Sequence, residues 1–435
     1  MMVGARRDMA RARVFPQRRS ALHADLLLLV VVLAEDVFGL IDASAINIAG
    51  VVNIDLVWQA LLLVLSVHLY VQSLKMPRME TSALQGTLFG CLIAMCFVAA
   101  YRCNVLTGQP FMRGFIPQRG FMVCIVAAIL LRRPFRTGLV DVHRLIQGLI
   151  VLGSIASVLY LLQVAVGHTV TFIHAQLGYK YGGLRLYIDG ASSTVAGILS
   201  LWVCLKRGNW RYIVPSLLAL AVMLFVSKGR LELVVYLATM LVLTISAKGS
   251  ARAKVLIICL FSLAFIFFSQ SRYAAEVIDS FLNSSAGGND ATGVIREAGR
   301  EWYQYVMSSQ PYGVLLGCGY PSTLYEPAIE MAGFQYGYFL VDNGIYGYRY
   351  VYGDLGVALV LLSLATTLWY SLRGRQDVFG SVLFAFYFFL FVPFINLAWW
   401  WGTADWEVLV AVFVALGWNK SIHLSKSGGE HAQKN

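Results

Sequence analysis

The sequence predicts an all-α polytopic membrane protein of about twelve transmembrane helices, with a large outer loop between the ninth and the tenth. Three observations predict it. Hydrophobic residues fill 58% of the 435 positions and charged residues only 13%, about half the charged share of a soluble domain. Apolar windows of about 20 residues, long enough to cross a hydrocarbon core, recur along nearly the whole chain. Finally, the segments between them alternate between rich and poor in Lys and Arg, as the cytoplasmic preference of basic side chains requires.

The windows fall at 25–42, 54–74, 82–101, 115–131, 145–166, 190–205, 211–227, 231–247, 253–270, 351–370, 378–396 and 398–417. The first follows an Arg-rich start and precedes Ala43-Ser44-Ala45, which has the look of a signal peptide with a small-residue cleavage site. Glu35 and Asp36 interrupt its apolar run and many spans follow, so it reads as an uncleaved anchor. These windows divide the chain into an amino-terminal bundle (1–270, about nine spans), a large loop (271–350), and about three carboxy-terminal spans with a tail (351–435).

With the amino terminus inside, 23 of the 34 basic residues fall in inner segments, among them Arg6, Arg7, Arg132, Arg133, Lys206, Arg207 and Lys248. Arg119 lies within a span, and ten residues face outward: Arg102, Arg113, Lys180, Arg185, Lys228, Arg230, Arg272, Arg296, Arg300 and Arg349. The net charge of +11 therefore reports topology, and nucleic acid is excluded as a partner. The lipid bilayer is the first partner the chain requires.

Chemistry is sought among the outward residues. "SKGR", Ser227 to Arg230, is a very short charged turn between two spans, with Glu232 close behind. Its bland explanation is snorkelling of basic side chains to the interface. The fifth and sixth spans are joined by a polar loop holding His168, His174, Lys180, Arg185 and Asp189. In the long loop, "GVIREAGREWYQYVMSSQP" reads as a short helix that ends before Pro311. Arg296 and Arg300 stand four apart on one face of it, where like charges cost about 0.2–0.5 kcal/mol. An anion would relieve them, and so would Glu297, three residues before Arg300. From Trp302 to Tyr352 the chain holds eleven of its 22 tyrosines, Tyr303 and Tyr346 among them. That density fits an interfacial belt or a carbohydrate-binding surface. "LAWWWGTADWE", Leu397 to Glu407, adds aromatics near the last outer turn.

No Walker loop, dinucleotide fingerprint, zinc motif or internal repeat is found, so no cofactor and no metal are expected. The seven cysteines show no metal-ligand spacing, and Cys103 and Cys318 are the outward pair whose bridging stays open. An enzyme of this kind without a nucleotide takes a preactivated substrate, and lipid-linked sugar diphosphates are one such class. Arginine suits that leaving group, because its planar fork holds phosphate oxygens in bidentate fashion and never loses its charge.

Four stretches carry a resemblance to the bacterial O-antigen polymerase and O-antigen ligase superfamily of membrane glycosyltransferases. "RLYIDGASSTVAGILSL" resembles its Arg-x-x-Gly-type loop leading into a span, and "SKGRLELVVYLATMLVL" its Ser-x-x-Arg span start. "GREWYQYVMSSQPYGVLLGCG" is similar to its Arg, Trp, Pro, Gly-x-Gly loop helix, and "YGDLGVALVLL" to the acidic-x-Gly opening of the next span. The resemblance covers roughly residues 180 to 370. It implies a polymerase of lipid-linked repeat units in the bacterial inner membrane, with its outer loop in the periplasm. Its substrate would be an undecaprenyl-diphosphate-linked oligosaccharide, and a flippase and a chain-length regulator would be its partners. Carried over, the resemblance puts Arg230 and Arg300 on the diphosphate, with Arg185 a further candidate at the same mouth; Arg296, Lys228, Trp302, Tyr303 and Tyr346 are substrate-binding candidates from their own charge and aromatic character. The ligases' histidine-asparagine pair has no counterpart, because residues 271–350 contain no histidine. Asp342-Asn343 stands nearest, fourteen residues before Gly356, which favours polymerase over ligase and makes Asp342 or Asp189 the candidate base. The competing reading from another class is a transporter of lipid-linked sugar.

Overall fold

The computed structural model describes residues 24–33, 38–41, 54–76, 83–180, 183–188, 190–247, 251–270, 275, 291–373, 380–395, 398, 401 and 404–417. The Ala43-Ser44-Ala45 site, Asp189 and nearly all of 271–290 lie outside the described residues, as does the side chain of Arg230.

Each apolar window contains a helix. In order these are α1 (Ala24–Leu33), α2 (Ile54–Leu74), α3 (Ala83–Thr107), the short α4 (Phe111–Phe115), α5 (Arg119–Arg136) and α6 (Val142–Val166). After them come α7 (Ala191–Arg207), α8 (Ile213–Ala221), α9 (Arg230–Ser246) and α10 (Ala251–Ser269). The region expected as the long loop contributes α11 (Ala291–Ser309), α12 (Gly313–Leu316) and α13 (Glu326–Ala332), before α14 (Ile345–Arg373), α15 (Gly380–Phe391) and α16 (Ala404–Gly417) close the fold. Among the described residues six stretches are long and apolar enough to cross a membrane: Leu56–Leu74, Leu84–Thr107, Phe111–Arg136, Val142–Val166, Trp210–Ser227 and Ile345–Trp369. Val64, Val71, Phe97, Val105, Val151 and Ile245 stand exposed along these and neighbouring helices. A continuous apolar exterior of this kind needs lipid against it. The chain is an all-α polytopic membrane protein.

Local chemistry sets the helix ends. Asp141 caps α6 by accepting from the backbone N–H groups of His143 and Arg144. Gly208 ends α7 in the left-handed region directly after Lys206 and Arg207, whose charges complement the helix carboxyl end. Helices meet through small residues where they approach closely. A Cβ on Gly153 of α6 would overlap the Ser192 backbone at the start of α7, and Ser157 and Ser193 share a 2.6 Å hydroxyl bond across that seam. The same pattern brings α7 against α8, while α2 and α16 pack on α5, α14 on α3, and α15 on α9.

Side chains near the helix ends tie neighbouring loops together in two sets. In one, Arg102 donates to the Gly317 and Pro311 carbonyls, Gln109 to Tyr320 and Arg113 to Leu324. In the other, Arg133 donates to Ser73 and Met76 and Arg207 bonds His143.

Two features depart from the sequence expectation. The polar loop after α6 contains an antiparallel hairpin, β1 (Leu177–Lys180) and β2 (Gly183–Leu186), paired from Leu177 with Leu186 to Lys180 with Gly183. The span expected from 351 begins earlier: α14 starts at Ile345 and breaks at Gly353, whose φ of 67° is outside helical values. Only glycine fits there, since a Cβ would overlap the Leu315 carbonyl. Arg349 and Asp354 pair across the break.

Candidate functional site

The structure brings the predicted side chains together in two groups. The first is built on α11. Its inner face is anchored by Tyr303, whose hydroxyl donates to the Tyr338 carbonyl at 2.6 Å, and by Trp302, whose indole N–H donates to Met331 at 3.0 Å. Tyr303 is completely buried and packs on Tyr350 with ring centroids 4.9 Å apart. Burial, with the Asp342 charge adding to it, holds its hydroxyl protonated far above the usual tyrosine range. The substrate-binding role expected of Tyr303 is therefore corrected: its ring is core and presents no face to a ligand.

Anchoring that face turns Arg296 and Arg300 toward the tight turn Val341–Asn343. Gly299 permits the approach, since a Cβ there would already stand 3.1 Å from the Asn343 amide nitrogen. The turn is held by Asn343 Nδ2 donating to the Phe339 carbonyl at 3.0 Å and by the Ala398 N–H donating to the Val341 carbonyl at 3.1 Å. Arg296 then lies 3.8 Å from the Asp342 carboxylate, both part-exposed, and the Arg300 guanidinium stands 4.9 Å over the Tyr346 ring. Asn343 is buried with its Oδ1 lacking a hydrogen-bond partner, as does Arg296 Nε, among the described residues.

The second group surrounds "SKGR". α8 ends in a π-helical turn, Val222–Ser227, a distortion that is frequent at functional sites. Lys228 follows in the left-handed region at φ 50°. It is 7% exposed, and its Nζ presses on Gly183 of the hairpin so closely that a Cβ there would collide with it. Ser227 Oγ donates to Glu232 at 2.9 Å. Ser227 and Glu232 line a small crevice of about 20 Å³ together with Thr194, Val222, Met223, Phe389 and Trp406. Arg185 stacks on Tyr187 at 4.2 Å, and its buried Nε has no hydrogen-bond partner among the described residues. Arg230 opens α9 at this place.

The turn Pro393–Ile395 contacts both α9 and α14, and Ala398 just beyond it bonds the Val341 turn. One segment thus ties the two groups to a common end of the molecule. Together they offer cations, one carboxylate beside an arginine and a second carboxylate in a small amphipathic crevice.

Arg102, Arg113 and Arg349 from the outward set serve structure, holding the loop carbonyls and Asp354. Cys103 and Cys318 are both buried free thiols, so no bridge joins them, and burial raises the Cys318 thiol to about 12. The crevice and the hairpin escaped the sequence reading. The signal for the hairpin was present in Gly182-Gly183 between two alternating runs, and Glu232 lay inside the charged stretch already singled out. The chain matches no family model and no curated protein.

Proposed function

We propose that this chain is an integral-membrane glycosyltransferase of the O-antigen polymerase type. It sits in the bacterial inner membrane with twelve spans, both termini cytoplasmic and residues 271–350 in the periplasm. The observation that supports it most directly is the convergence of Arg296, Arg300, Asp342 and Tyr346 on one part-exposed spot of the outer-loop region.

In this proposal the growing glycan is transferred from undecaprenyl diphosphate to a sugar hydroxyl on the next lipid-linked unit. The bond from the sugar's anomeric carbon to the phosphate oxygen breaks, and its electron pair leaves with the diphosphate. Arg230 and Arg300 hold those oxygens and stabilise the charge as it develops. A bond forms from the anomeric carbon to the acceptor oxygen, whose proton passes to Asp342. Tyr346 and Trp302 supply flat faces for sugar rings.

Purified protein supplied only with lipid-linked repeat units, without nucleotide and with chelator present, is the test. Longer lipid-linked chains are expected. A ligase needs a separate acceptor before any transfer, and a transporter moves the substrate between vesicle compartments at unchanged length. Unchanged length in folded protein that binds the lipid overturns the polymerase proposal.

A further inference from the structure

The ion pair between Arg296 and Asp342 is loosely made. Its nearest atoms are 3.8 Å apart, well beyond the roughly 2.7–2.9 Å of a charge-assisted hydrogen bond. The side chains keep 33% and 49% of their surface exposed, so water and solutes reach both, and pairs of this kind contribute only about 0–1 kcal/mol. The remaining donors of Arg296 are not used up: its Nε is buried without a hydrogen-bond partner among the described residues. One helical turn away on the same face, Arg300 stands over an aromatic ring. The spot is therefore a two-arginine anion site in which a carboxylate of the protein sits at the rim.

We infer that Asp342 is a built-in stand-in for the donor's diphosphate, occupying Arg296 until the diphosphate displaces it and frees the carboxylate for the acceptor hydroxyl. The inference rests on the proposed function and deepens it. A diphosphate carries more than one negative charge and presents oxygens in the paired geometry that a guanidinium fork accepts, so it outcompetes one loosely held carboxylate. Displacement changes what Asp342 can do. Beside Arg296 its carboxylate oxygens face the guanidinium; once displaced, they are turned from it and open to an acceptor hydroxyl. Proton acceptance is then coupled to donor occupancy, and the acceptor hydroxyl is not activated in an empty site. Asn343 and the Ala398 contact hold the Val341–Asn343 turn in place, so the exchange requires a rotation of the Asp342 side chain and no movement of the backbone.

The measurement is the affinity of full-length protein in detergent micelles for inorganic pyrophosphate. Asp342→Asn removes the competing charge and should tighten binding at least threefold, and Asp342→Ser should do the same without an amide. Arg296→Gln should weaken binding, and in that background Asp342→Asn should bring no gain, because the competition has lost its object. Glu297→Gln removes an equally charged, exposed neighbour and should leave the affinity within twofold. Equal or weaker binding by both Asp342 variants overturns the exchange, as does the same gain with Arg296 absent or with Glu297→Gln. If the unmodified protein binds no pyrophosphate, the proposed function itself falls; binding without the Asp342 effect removes only the exchange.

Discussion

At the scale of single residues, the structure separates cations that hold backbone carbonyls of 311–324 from those beside a carboxylate or an aromatic ring. Arg102 and Arg113 spend their guanidiniums on backbone carbonyls of 311–324, whereas Arg296 lies at the part-exposed Asp342 carboxylate and Arg300 stands over the Tyr346 ring. Arg300→Ala should therefore abolish chain growth at unchanged protein level, and Arg300→Lys should restore little, since an ammonium lacks the bidentate fork. Polymer length on a gel beside an immunoblot checks both. Near-normal polymer from Arg300→Ala would return that residue to solvated surface. Tyr303→Phe is the contrasting case. It deletes the bond to Tyr338 and should lower stability by about 0.5–1.5 kcal/mol while pyrophosphate affinity stays the same. Thermal unfolding in detergent and a binding titration separate the two roles.

At the scale of elements, the break in α14 and the hairpin over Lys228 position the two groups. Gly353 holds φ 67° with the Leu315 carbonyl against it. Gly353→Ala should cost about 1–3 kcal/mol from backbone strain alone and loosen the contact between α12 and α14. Gly90→Ala on α3, where a Cβ meets nothing within 4 Å, should instead stabilise by about 0.5–1 kcal/mol. Melting temperatures of the two variants moving the same way would contradict this account of the kink. Gly183→Val addresses the hairpin: the added side chain displaces the Lys228 ammonium and should reduce chain growth with little loss of expression.

At the scale of the whole molecule, the proposed orientation, read from the partition of basic residues, specifies an accessibility pattern. A cysteine at Ser284 should react with a membrane-impermeant maleimide in intact cells once the outer membrane is opened, and one at Ser250 only after the inner membrane is permeabilised. The reverse pattern would invert the proposed orientation and remove the outer site with it. Neutral-salt titration adds a second check at this scale. Surface charges are screened over about 8–10 Å near physiological ionic strength, so pyrophosphate affinity at a part-exposed arginine site should fall as salt rises.

The sequence by itself determined the class and the helices, because spans crossing lipid must satisfy every backbone group internally and so write their length into apolar composition. It also located α11, since Pro311 ends that helix and the 3.6-residue period puts Arg296 and Arg300 on one face. What only the tertiary structure decided is which face of each element is inside. Four of the eleven clustered tyrosines, Tyr303, Tyr348, Tyr350 and Tyr352, are core, yet nothing in their spacing distinguishes them from exposed Tyr305, Tyr312 and Tyr336. Likewise Asp342 meets Arg296 across 46 positions of chain, through a turn pinned by Ala398 from a still later segment. Such contacts depend on how packed helices and loops close in space, and a local pattern of residues carries no record of that closure.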